Sequence, residues 1–197
     1  MSKVSEVVDR AFREITLKGY FDKVEGNKPI GAIMKEPMSS IPSAMTQHVN
    51  AGGKGCCFVF SAYMMNILNN EGINNYMIGT IEDGDIRASV MYEDNGEFFI
   101  ANPVEDIERF TEIGVKPEDR ANFYDGDSAT MIVGGESHND SRYTLEEFEK
   151  KYGTIWVIGS MDKESATLSE SMGSMGSRVI MPPEKANYDV KKLSRNK

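Results

Sequence analysis

Between Cys57 and Asn70 the chain reads CFVFSAYMMNILNN, apolar on nearly every side, and the run stops just before Gly72. A helix made of such a segment has no face to give to water, so other elements must surround it. Glycine is the residue type favoured just past a helix C-terminus, where a left-handed backbone closes the last turn. The expectation is a buried central helix. A chain of 197 residues is long enough to wrap it within one domain. Apolar residues make up 40% and charged residues 27%, which argues against a wholly disordered chain.

Partners for that helix can be read on both sides. Val4, Val7, Val8, Phe12, Ile15 and Leu17 recur at helical spacing over residues 4–18 and predict an amphipathic first helix. Residues 19–55 are rich in Gly, Pro, Ser and Asn and read as loop. After the central helix come β-like runs at Asn75 to Ile81, Ile86 to Tyr92 and Glu97 to Ala101. Asp94-Asn95-Gly96 separates the last two and predicts a hairpin. Beyond Pro103 the text is polar and mixed until a short strand, Ala129 to Val133, and the loop GGESHND. Thr144 with Glu147 forms a capping box ahead of Phe148 and Tyr152, Gly153 ends that helix, and Thr154 to Ile158 reads as a last strand. The fold class is therefore α+β, with the central helix packed on an antiparallel sheet whose strands begin near Asn75, Ile86, Glu97, Ala129 and Thr154. Residues 1–158 are expected to form a single domain, and 159–197, which include SESMGSMGS, a flexible tail.

Charge and cysteine usage narrow the function. Lys and Arg total 22 against 31 Asp and Glu, a net charge of -9 that repels phosphate backbones, so no nucleic acid partner is expected. The N-terminus shows no secretory signal, and the window from Cys56 to Leu68 falls short of the roughly 20 apolar residues of a membrane span. A soluble cytoplasmic protein is expected, with secretion as an effector open through a signal hydropathy does not show. The two cysteines, Cys56 and Cys57, are adjacent and form no disulfide framework. With two histidines, His48 and His138, and no Cys-x-x-Cys pair, neither a metal nor a cofactor is expected. The acidic group Glu82, Asp83 and Asp85 lacks the ligand order of a calcium loop and reads as a solvated turn.

Cys57 stands where the central helix starts. Unpaired N–H groups and the positive end of the dipole favour a thiolate there. The preceding Gly52-Gly53-Lys54-Gly55 lets backbone approach closely, so Gly55 is a candidate for the oxyanion or substrate-binding part of a site. For Cys56 the reading is a small buried hydrophobe.

The run GKGCCFVFSAYMMNILNNEGINNYMIGTI resembles the core of the transglutaminase-like and papain-like cysteine hydrolases. In that superfamily a glycine-flanked cysteine opens a buried helix that ends in a Gly-Ile pair, here Gly72-Ile73, and leads into a strand. The next strand carries a histidine, and the one after it ends in Asp or Asn before proline, places filled here by IRASVMYEDNGEFFIANP. The resemblance covers residues 52–103. It implies that Cys57 is the nucleophile, that Asn102 before Pro103 orients the histidine, and that Gln47 is an oxyanion donor. The histidine itself is missing: its position corresponds best to Ala88, with Arg87 the other choice by spacing. His138 and His48 are further candidates for the base.

A thiol with an ordinary pKa near 8.5 is only a few per cent ionised at neutral pH and has no proton relay without an adjacent imidazole. The chain as written is therefore expected to be impaired, as a His-to-Ala variant at 88 would be. The resemblance implies a cysteine-dependent hydrolase or acyl transferase acting on peptide or glutamine amide bonds: protease, deamidase or transglutaminase. The alternative is a non-catalytic peptide- or protein-binding module on the same fold. Either way the partner is a peptide or protein.

Overall fold

The computed structural model describes residues 2–17, 56–139 and 141–159. Helix α1 spans Lys3–Leu17 and buries Val7, Val8, Ala11, Phe12 and Ile15, the stripe its spacing predicts. Its start is capped by Ser2, whose Oγ accepts the Ser5 N–H at 2.9 Å. Helix α2 spans Cys56–Asn70 and buries residues on all sides: Val59, Phe60, Ala62, Tyr63, Met64, Met65 and Leu68. It stops as expected, because Gly72 adopts φ 71° and donates to the Asn69 carbonyl at 2.9 Å. Ile73 then donates to the Leu68 carbonyl at 2.9 Å, which completes a Schellman closure.

Strands β1 (Asn75–Glu82), β2 (Asp85–Asp94) and β3 (Glu97–Ala101) form an antiparallel meander. The connections are two-residue turns, Asp83-Gly84 and Asn95-Gly96, with positive φ at all four residues. That is the turn geometry whose twist matches the flanking strands. Helix α3 (Pro103–Glu112) follows β3 directly, with Pro103 in its first turn, and a 3-10 helix spans Pro117–Phe123. Strands β4 (Met131–Val133) and β5 (Glu136–His138) make a separate ribbon. Strand β6 (Arg142–Thr144) leads into helix α4 (Leu145–Tyr152), and β7 (Trp156–Gly159) comes last. The main sheet has five strands in the order β6-β3-β2-β1-β7, all antiparallel.

Both faces of this sheet are covered. Met77, Ala88, Val90, Tyr92 and Ala101 join α1, α2 and the buried side of α3 (Val104, Ile107, Phe110) in one core. Ile78, Met91, Phe98 and Ile100 join Tyr143, Phe148, Ile155 and Val157 in a second core under α4. Alternation along the strands divides the two sets, since neighbouring residues point to opposite faces.

The α+β class and the central helix on an antiparallel sheet stand as expected, and the capping box of Thr144 and Glu147 is present. Four expectations are corrected. The strand read at Ala129 to Val133 belongs to the β4–β5 ribbon, and the main sheet is completed by β6 instead. GGESHND is not only loop: Gly134-Gly135 turns the chain and Glu136–His138 pairs back on β4. The polar text after Pro103 contains α3, whose acidic first turn and apolar spacing were masked by its charge. The final strand starts at Trp156 rather than Thr154 and runs to Gly159. The loop expected over 19–55 and the tail over 160–197 lie outside the described residues.

Candidate active site

Cys57 occupies the first turn of α2, half-buried against the core that α1, α2 and the sheet share. That core also holds Ala88 of β2, from a segment distant along the chain. Burial nonetheless dominates the thiol and pushes its pKa up. The Ala88 hydrogen bond, the Arg87 charge and the Phe58 hydrogen bond pull against it, and Glu108 pushes with it. This corrects the expectation that the helix start alone would favour the thiolate: desolvation is the larger effect, and the sulfur rests as a neutral thiol.

Ala88 is fully buried on the α2-facing side of the sheet, opposite Gly79 of β1. Arg87 differs. Its guanidinium is spent on two carboxylates: Nη1 donates to Glu108 of α3 at 2.8 Å, and Nε pairs with Glu82 at the end of β1. Burial pulls the Arg87 pKa down, but the hydrogen bond and charge of Glu108 and the charge of Glu82 outweigh it, so the cation is held charged. Of the two positions that spacing offered for the absent histidine, 88 is the one packed in the helix-facing core.

Asn102 is fully buried at the head of α3. Its N–H donates to the Ser141 carbonyl at 2.8 Å, and its carbonyl accepts the Glu105 N–H at 3.1 Å. The side chain makes no cap hydrogen bond, and among the described residues both Oδ1 and Nδ2 lack a partner. The ladder pairs Val90 with Ala101. That pair is the last of the ladder, and Asn102 follows it as the residue ahead of α3. A buried amide with neither end bonded is costly, by about 1–3 kcal/mol for each stranded group.

His138 sits on β5 with Nδ1 3.3 Å from Arg109 Nη1, whereas the groups acting on the Cys57 sulfur come from α2, β2 and α3. Gln47, His48 and Gly55 lie outside the described residues, as does the side chain of Cys56. Glu108 is the site neighbour that sequence reasoning missed. The signal for it was Pro103 at a helix start, with Val104, Ile107 and Phe110 at helical spacing after it. Among the described residues, no cluster of three or more His, Cys, Asp or Glu is placed to hold a metal, and no helix is long and apolar enough to cross a membrane.

Chemically, the arrangement offers a partly accessible thiol packed against the core that β2 shares, a small buried residue at that strand's head, and, just past the next strand's end, a buried amide without a partner among the described residues. No family model matches the chain, and neither a curated protein nor a solved structure does.

Proposed function

We propose that the chain is a cysteine-dependent hydrolase or acyl transferase of papain-like or transglutaminase-like design, acting on peptide or glutamine amide bonds, with Ala88 standing where the working enzyme has histidine. The observation that carries this reading is that Cys57, in the first turn of α2, packs against the core that holds the fully buried Ala88 of β2. A side chain built out from position 88 enters that core on the α2-facing side of the sheet. The Asn102 amide adds support, since an imidazole at 88 could offer it the partner it lacks among the described residues.

With histidine at 88, the imidazole takes the thiol proton and Cys57 Sγ attacks the amide carbonyl, forming a C–S bond. The protonated imidazole then gives its proton to the departing amine as the C–N bond breaks. Water or a second amine attacks the thioester, the imidazole accepts its proton, and the acyl group leaves Cys57. Asn102 sets the tautomer by hydrogen-bonding the far ring nitrogen. Without the ring, the buried neutral thiol of this chain performs none of these transfers at a useful rate.

The test is Ala88→His in the full chain, assayed against a fluorogenic peptide library and, for ammonia release, against glutamine peptides. Turnover that appears in Ala88→His and vanishes in Ala88→His/Cys57→Ala supports the proposal. Ala88→Gln, which adds bulk without a basic ring, controls for packing. A folded Ala88→His protein with no turnover and no Cys57 acyl adduct by mass spectrometry would remove the catalytic reading.

A further inference from the structure

Asp106 of α3 sits in a chain of buried side chains drawn from four parts of the fold. Its Oδ1 meets the Oγ of Ser141, just ahead of β6, and its Oδ2 lies 2.9 Å from the Oη of Tyr124, just past the 3-10 helix. The same Tyr124 oxygen is 2.9 Å from Oγ1 of Thr16 in the last turn of α1, and that Oγ1 is 2.8 Å from the Phe12 carbonyl oxygen. These four oxygen-to-oxygen contacts need one hydrogen each. The hydroxyls of Thr16, Tyr124 and Ser141 supply three, and the Phe12 carbonyl supplies none. With Asp106 ionised, one contact has no hydrogen. With Asp106 protonated, its O–H donates to Tyr124, Tyr124 donates to Thr16, Thr16 donates to the Phe12 carbonyl, and Ser141 donates to the other carboxyl oxygen. A hydrogen that any of the hydroxyls gave to a group outside this chain would only deepen the shortage.

We propose that a proton on Asp106 latches the last turn of α1 to α3, completing a hydrogen-bond chain that is one hydrogen short when the proton leaves for water. In the ionised form the Tyr124 O–H turns to Oδ2, and Thr16 is left with one hydrogen for two oxygens. Burial is the largest influence on this carboxyl and lifts its pKa to about 6, against the hydrogen bonds of Ser141 and Tyr124. Glu105 beside it on α3 pushes the same way, and Arg142 of β6, itself paired with Asp9 of α1, pulls against it. Arg13 of α1 lies over the Tyr124 ring, 5.4 Å from its centroid. The latch is therefore whole below about pH 6 and weakens above it.

Carbon-13 NMR of the full chain labelled at the aspartate carboxyls follows the titration between about pH 4 and pH 8. Thr16→Val removes two contacts and one hydrogen, so that Ser141 and Tyr124 then satisfy a carboxylate in full, and the Asp106 midpoint should fall by roughly half to one pH unit. Tyr124→Phe removes a donor to the carboxylate and should raise the midpoint by a similar amount. Amide hydrogen exchange in the last turn of α1, corrected for the intrinsic effect of pH, should lose protection about fivefold between roughly pH 5 and pH 7, the equivalent of one hydrogen bond. Asp106→Asn, whose amide carries its hydrogen at every pH, should abolish that loss. A midpoint near that of an ordinary aspartate, midpoints that stay still or move the same way in both variants, or protection that does not follow the titration would overturn the proposal.

Discussion

Asn102 gives the sharpest test of how this site is put together. Leucine keeps the branched shape of asparagine and removes both polar atoms, and no cap hydrogen bond is lost because the Asn102 side chain makes none. In the chain as it stands, the substitution removes a fully buried amide whose oxygen and nitrogen have no partner among the described residues. Relief of that desolvation, at about 1–3 kcal/mol for each of the two groups, should stabilise the fold by about 2–6 kcal/mol. For a chain of this length each kcal/mol moves Tm by roughly 2–4 °C, so a gain of about 2 kcal/mol raises Tm by about 4–8 °C. With histidine at 88 the amide gains a partner, and Asn102→Leu should then destabilise. Urea denaturation of the four proteins in this cycle should give a coupling energy of about 1–3 kcal/mol between positions 88 and 102. Equal effects of Asn102→Leu in both backgrounds would refute the idea that the two positions serve one another.

Other expectations concern the scaffold. Asp106 is fully buried, and burial pushes its pKa up from 3.8 to about 6, against hydrogen bonds from Ser141 and, at 2.9 Å, from Tyr124. The folded carboxyl keeps its proton at pH values where the unfolded one has released it. Stability therefore declines as pH rises from about 4 to about 6, by on the order of 3 kcal/mol, and Asp106→Asn should flatten that decline in urea midpoints measured across the range. Phe148 of α4 is fully buried in the second core. Phe148→Ala should cost about 3–5 kcal/mol in the same denaturation assay; a loss under 1 kcal/mol would mean that α4 does not close the second face.

How much of this was legible in the sequence depended on whether a local signal was strong enough to speak alone. The all-round apolar run at 57–70 and Gly72 fixed the central helix to within a residue, because few other arrangements bury such a segment. Asn95-Gly96 set the β2–β3 hairpin, since positive φ at both positions suits those residue types. Strand β6 was not legible. Its three residues are held by pairing Arg142 with Ala101 and Thr144 with Phe99, contacts made across some forty positions of chain. Helix α3 was hidden by its charge: Glu105, Asp106, Glu108 and Arg109 made the segment look like polar loop, although Asp106 is buried and Glu108 pairs with Arg87. At the site, the expectation at Cys57 and position 88 followed from a resemblance. The balance of forces on the thiol did not, because desolvation depends on what packs around the sulfur and not on its place at a helix start.

The reading as a whole turns on whether a base at 88 can reach the thiol at 57. The most direct measurement is competitive iodoacetamide labelling of the two adjacent cysteines in the full Ala88→His protein near neutral pH, with the modified sulfur located by fragment mass spectrometry. An imidazole paired with the nucleophile should make Cys57 react at least about tenfold faster than Cys56. Two slow and similar rates would contradict the account.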